Sequence, residues 1–104
     1  MKTEIIPCTV AAGIEGDLQI IRLGDVVIMS GNIFARKAFA GKTNASIGTV
    51  PADYRPAKEI GGVAICNYSA AYVTVKTNGE IVFLPSAASS GGSLYISAIC
   101  WKIA

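Results

Sequence analysis

The feature that most constrains the fold of this chain is the Asn78-Gly79 pair, which lies between two segments of alternating β-branched, aromatic and polar residues. Asn-Gly supplies the two positive-φ residues of a type I′ turn, so a hairpin with a two-residue loop is predicted over Ala71 to Leu84. In that register Val75 lies opposite Val82. The sequence therefore predicts at least one antiparallel pair of strands.

Short runs rich in β-branched residues, separated by turn residues, continue along the rest of the chain. Strands are predicted over Leu18 to Leu23, Val26 to Ala35, Ile60 to Cys66 and Leu94 to Ile103. Such a pattern is typical of an all-β domain with little helix. We expect a small antiparallel β-sandwich or barrel of at least six strands, with no helix beyond a short turn.

The length of 104 residues allows one compact domain. We expect a single domain over residues 1–104, in which residues 1–16 are an N-terminal arm or linker and residues 17–104 are the core.

Composition indicates a protein that associates with copies of itself. Only 15% of the residues are charged and 52% are hydrophobic, which is unusually apolar for so short a chain. Two predicted strands also carry apolar residues on both faces, since the hairpin register places Ile81 and Phe83 beside Tyr72. In the final strand, Ile96 and Ala98 are expected on one face and Ile99 and Trp101 on the other. We therefore expect part of the folded surface, including residues 73–83 and 94–101, to be buried between subunits.

The chain lacks the residues that most chemistry requires. It has no histidine, and nine basic against seven acidic residues leave a net charge of +2, so nucleic acid is not an expected partner. Cys8, Cys66 and Cys100 form no CxxC pair and are expected to be reduced thiols. Gly41-Lys42-Thr43 lacks the earlier glycine of a phosphate-binding loop, and residues 85–93 are too polar for a membrane span. We expect no enzyme activity, no metal, no cofactor and no membrane insertion.

Three segments resemble one family in both order and spacing. They are Leu23 to Gly31, Ile47 to Pro56 with a Leu/Val-Pro-x-x-Tyr-Arg-Pro signature, and Lys76 to Ile81 with its Asn-Gly hairpin. The chain resembles the C-terminal head domain of tail-tip and baseplate receptor-binding proteins from phages or prophages of Gram-positive hosts. The resemblance implies a homotrimer, made in the bacterial cytoplasm and carried on the virion. Its implied partners are host cell-wall saccharide and other tail or baseplate proteins. The motif residues with an expected structural role are Gly24, Pro51, Tyr54, Arg55, Pro56, Asn78 and Gly79.

Asn67, Tyr68 and Tyr72 form the best candidate saccharide site. An amide both donates and accepts hydrogen bonds, and a tyrosine offers a stacking face with a hydroxyl at its edge. In a trimer this loop is expected to meet a neighbour's Arg36-Lys37 or Asn44 segment, which would give three equivalent clefts.

Two other functions remain open. One is a structural virion or appendage module, for assembly or decoration, that binds no saccharide. The other is a trimeric jelly-roll head used for protein recognition, like those of the tumour-necrosis-factor and complement superfamily.

Overall fold

The computed structural model describes residues 3–36, 38–39, 41, 43–66, 69–86 and 91–103. These residues form nine β-strands and one 3-10 turn at Ala52–Tyr54, with no α-helix among them. The prediction of an all-β fold with at least six strands is confirmed. The strands are β1 (Thr3–Pro7), β2 (Thr9–Val10), β3 (Ile14–Leu23), β4 (Val26–Ala35), β5 (Ala45–Thr49), β6 (Ile60–Cys66), β7 (Ser69–Val75), β8 (Glu80–Pro85) and β9 (Gly92–Lys102).

All nine strands belong to one antiparallel sheet with the order β1-β3-β4-β9-β6-β7-β8-β5-β2. The two edge strands, β1 and β2, are consecutive in the chain and only Cys8 separates them. Because β1 pairs with β3 and β2 pairs with β5, residues 3–10 connect the two edges and nearly close the sheet into a barrel. The backbone amide of Cys8 also donates to the carbonyl of Leu18 over 2.8 Å. Residues 1–16, which the sequence predicts as an arm or linker, thus contribute β1, β2 and the start of β3 to the sheet.

The barrel interior is filled entirely by apolar side chains. Alternate residues of each strand point inward, as with Ile20 of β3, Met29 of β4 and Val73 of β7, all of which are fully buried. Phe83 is also fully buried and meets Phe39 edge to face, with 5.0 Å between ring centroids. Among the described residues no polar or charged side chain is buried.

The β7–β8 hairpin has a three-residue loop, so the predicted two-residue turn is wrong. The amide of Gly79 donates to the carbonyl of Lys76, and the amide of Lys76 donates to the carbonyl of Glu80, each over 2.9 Å. Gly79 has a φ of +89°, which fits a turn followed by a residue in the left-handed region. Val75 therefore lies opposite Ile81 rather than Val82.

This shift of one residue changes which side chains are buried. Ile81 and Phe83 join Val73 and Val75 in the core, and all four are fully buried. The expectation that Ile81 and Phe83 share the face of Tyr72 is wrong, so they are not available to a subunit interface.

Strand β9 contains a bulge that the sequence analysis did not predict. Ile99 lies opposite Met29, but Ile96 lies opposite Gly31, so two residues of β9 face the single residue Ser30. The extra residue reverses the alternation of side chains. Four apolar residues of β9 consequently point into the core: Leu94, Ile96, Ile99 and Trp101. The prediction that Ile96 and Ile99 lie on opposite faces of the strand is wrong.

The Pro51–Pro56 segment is held against the end of the barrel. Arg55 donates from Nε to the carbonyl of Val50 over 3.0 Å. Trp101 donates from Nε1 to the carbonyl of Tyr54 over 2.7 Å, and Pro56 forms an isolated bridge with Ile103. These contacts fix the corner between β5 and β6.

Candidate functional site

The outer surface of the barrel is where this chain can make specific contacts, since its interior is closed and apolar. Among the described residues no group of three or more His, Cys, Asp or Glu side chains could hold a metal ion. Burial raises the pKa of the Cys8 thiol from 9.0 to about 11, so Cys8 is an unreactive thiol at neutral pH. Within the described ranges no helix is long and apolar enough to span a membrane.

Of the three residues predicted to bind saccharide, the structure describes Tyr72. It lies on the outer face of β7, between Val63 of β6 and Leu84 of β8. Its side chain is 63% exposed. Asn67 and Tyr68 lie outside the described residues.

Tyr72 borders an open apolar depression of about 450 Å³ on the outer face of β6, β7 and β8. The hydroxyl of Ser86 closes one end of it by donating to the carbonyl of Ala70 over 2.7 Å. The depression is lined by Val63, Ala70, Ala71, Tyr72, Leu84, Pro85 and Ser86. With almost no polar group in the lining, it is suited to apolar contact.

Apolar side chains continue from this depression across the neighbouring strands. Ile65 follows Val63 on the outer face of β6 and lies opposite Tyr95 of β9. Val63, Ile65 and Tyr95 are 53%, 46% and 54% exposed. We call Val63, Ile65, Tyr72, Leu84 and Tyr95 the apolar patch. Its size and continuity are unusual for a surface that meets only water.

A second apolar surface lies near the other end of the sheet. Four outward residues are direct neighbours across β1, β3, β4 and β9, and Ile5 among them is 65% exposed. We call this the apolar row: Ile5, Ile21, Ile28 and Cys100.

Between the two apolar surfaces lies a polar groove of about 270 Å³ on the outer face of β3 and β4. Four polar side chains line it, in two cross-strand pairs: Asp17 lies opposite Asn32, and Gln19 lies opposite Ser30. The groove lies beside the β9 bulge, and buried Ile96 forms part of its floor. Asn32 also lies directly opposite Tyr95, so an exposed aromatic ring is next to the groove.

The sequence analysis did not assign these groove residues to a site. Ser30 and Asn32 lie on the face of β4 opposite buried Met29, and each pairs with a residue of β3 that is distant in the sequence. Part of the signal is present in the sequence, since Gln19 alternates with buried Leu18 and Ile20 in the predicted strand Leu18 to Leu23, and Asp17 directly precedes that strand.

No protein-family model and no curated protein matches this sequence. Among solved structures, the chain is similar to the head domain of phage bIL170, which was described in connection with the receptor-binding domains of lactococcal phages. The similarity has a TM-score of 0.78 at 18% sequence identity and covers 99% of this chain and 100% of the other. The resemblance to phage head domains is therefore confirmed in the fold.

Proposed function

We propose that this chain is the host-recognition head of a phage tail-tip or baseplate protein, and that it binds saccharide on the host cell surface. The observation that carries the proposal is the similarity to the phage bIL170 head domain, which extends over 99% of this chain and the whole of the other. The match thus extends over nearly the whole of both chains. A rigid barrel with its functional groups on the outside suits a binding role.

The proposed head is a homotrimer in which Val63 and Ile65 of the apolar patch meet a neighbouring subunit, while Tyr72 and Tyr95 at the border of that contact stay open to saccharide. Val63 and Ile65 are 53% and 46% exposed in the single chain, so their burial would stabilise association. A two-fold dimer buries one self-complementary surface, whereas a ring buries two unlike surfaces of each protomer. The presence of both an apolar patch and an apolar row therefore favours a ring.

We propose that Tyr72 contacts saccharide together with Asn67 and Tyr68, which come just before β7 in the sequence. Tyr72 supports this placement because its ring is exposed and its strand is rigidly paired on both sides. Weak sites repeated in each subunit would gain affinity on a repetitive cell wall.

The test is adsorption of the purified protein to intact Gram-positive cells from a panel of species, measured by depletion from solution. We expect retention on a subset of the species. The Tyr72→Ala variant is expected to adsorb more weakly, whereas Glu59→Gln, which changes an exposed residue outside the patch, is expected to match the native protein.

Failure of the native protein to adsorb to any species, together with specific binding to other virion proteins, would contradict the proposal. That result would favour the structural or assembly role. Binding to a purified host protein alone would favour a protein-recognition head.

A further inference from the structure

We infer that the polar groove formed by Asp17, Gln19, Ser30 and Asn32 is a binding site for an uncharged sugar unit. The inference rests on the proposed function, because it names the ligand class and a second location for saccharide contact on the same head.

The groove side chains are available to a ligand. Within the part of the chain that the structure describes, no hydrogen bond or ion pair involves the side chains of Asp17, Gln19, Ser30 or Asn32. The other acidic residues of the described strands are paired: Glu4 with Arg22, Glu15 with Arg36, and Glu80 with Lys76. The groove is therefore a set of unused donors and acceptors.

Their chemistry matches that of sugar hydroxyls. A hydroxyl both donates and accepts, so it requires an acceptor and a donor near each other. Asp17 supplies acceptor oxygens, and the opposite residue Asn32 supplies a donor amide and an acceptor. Gln19 and Ser30 repeat this combination one step along the same strands.

Aromatic rings flank these polar groups. Tyr95 lies opposite Asn32 on β9, and Phe34 follows Asn32 on the outer face of β4, with exposed fractions of 54% and 43%. The guanidinium of Arg36 lies over the Phe34 ring, 5.3 Å from its centroid, and is also paired with Glu15. An aromatic face beside polar groups suits a sugar ring, which has an apolar C–H face and polar edges.

The scaffold fixes the positions of the groove side chains. β4 is paired along both edges, and β3 is paired with β4 over its whole length and with β1 from residue 19 to residue 23. Gly16, with a φ of +102°, lies so close to β4 that an added Cβ would be 2.7 Å from the carbonyl oxygen of Asn32. Strand β3 is thus held tightly against β4 immediately before Asp17.

Charge limits the class of ligand. The one ionisable group among the four is a carboxylate, and Arg36, which directly follows β4, is paired with Glu15. A phosphate group would meet repulsion from Asp17 without a compensating cation. The ligand is therefore an uncharged sugar, such as a hexose or an N-acetylated amino sugar, rather than a polyol phosphate.

The experiment is a titration of isotope-labelled protein with methyl glucopyranoside, methyl galactopyranoside, rhamnose and N-acetylglucosamine, followed by NMR. Glycerol 3-phosphate is the anionic probe. We expect at least one sugar to shift the side-chain amide signals of Gln19 and Asn32. Asp17→Asn and Asn32→Ala are expected to weaken that binding about tenfold or more, since each removes a hydrogen-bonding group. Glu59→Gln is the matched control and is expected to bind as the native protein does.

The outcomes separate this inference from the proposed function. Groove variants that adsorb to host cells and bind sugars as the native protein does would overturn the groove while leaving host recognition in place. Shifts produced by glycerol 3-phosphate alone would overturn the ligand class. If the native protein neither adsorbs to cells nor binds any sugar, both proposals fail.

Discussion

Gly79→Ala is predicted to destabilise the protein by about 3 kcal/mol, because two separate costs act at this position. Gly79 has a φ of +89°, where an L-residue with a Cβ costs about 1–2 kcal/mol. An added Cβ would also lie 2.6 Å from the carbonyl oxygen of Val50 and would contact the Arg55 guanidinium. Val50 cannot move away freely, because its amide donates to the carbonyl of Gly79 over 2.8 Å. Relief of such overpacking costs about 1–3 kcal/mol.

Gly24→Ala is the matched control for this prediction. Gly24 also lies in a turn with a positive φ, of +65°, but an added Cβ would have no atom within 4 Å. It should therefore show the conformational cost alone, about 1–2 kcal/mol.

Chemical denaturation of both variants at one protomer concentration measures the difference, since unfolding of an oligomer depends on concentration. We expect Gly79→Ala to be less stable than Gly24→Ala by about 1–3 kcal/mol. Equal losses of stability in the two variants would refute the close packing of Gly79 against Val50 and Arg55.

Three further predictions follow from burial. Val63→Asp is expected to give a folded protein with the 10.8 kDa monomer mass by light scattering. Val63 is 53% exposed in the single chain, so the single chain tolerates a charge there but the proposed interface does not. An unchanged oligomer mass would contradict the proposed interface. Phe83→Asp is expected to unfold the protein instead, as judged by circular dichroism, because it buries a charge in the core. Burial raises the pKa of the Cys8 thiol from 9.0 to about 11, because the folded state favours the protonated thiol. The protonated thiol's contribution to the free energy of unfolding is therefore present below about pH 9 and is lost as the pH rises from 9 to 11. The native protein should lose more stability over that interval than Cys8→Ala does, and parallel pH profiles would contradict this.

Much of the fold could be predicted because the local signals agree with the tertiary structure. Strands β4 and β6 have the predicted bounds, Val26–Ala35 and Ile60–Cys66. Gly24-Asp25 precedes the first of these runs, Asn67 follows the second, and charged residues stand at the other two ends, so short-range chemistry is sufficient to fix the bounds.

The register of the β7–β8 hairpin could not be predicted from Asn78-Gly79 alone. The same pair fits a type I′ turn and also a three-residue loop that ends in a left-handed glycine. The core decides between them, since the observed loop buries Ile81 and Phe83 completely.

The bulge in β9 was missed although the sequence carries a trace of it. The buried residues Leu94, Ile96, Ile99 and Trp101 are spaced by two, three and two positions. The central step of three indicates an inserted residue, whereas strict alternation along the strand predicts apolar residues on both of its faces.

The polar groove depends on contacts that are distant in the sequence. Asp17 lies opposite Asn32, and Asn32 in turn lies opposite Tyr95. The first pair follows once the β3–β4 hairpin is in register, but the approach of β9 is determined by the barrel topology. Sequence reasoning instead selected Asn67, Tyr68 and Tyr72, which are local to one loop and strand.

The most direct test of host recognition is retention of the purified protein on isolated Gram-positive cell walls, before and after mild periodate oxidation. Periodate cleaves vicinal diols in sugars and leaves the peptide cross-links of the wall in place. We predict saturable retention on the walls of at least one species and its loss after oxidation. Retention that survives oxidation unchanged would contradict recognition of a saccharide that carries vicinal diols, and absence of retention on every wall tested would contradict the assignment of this chain as a host-recognition head.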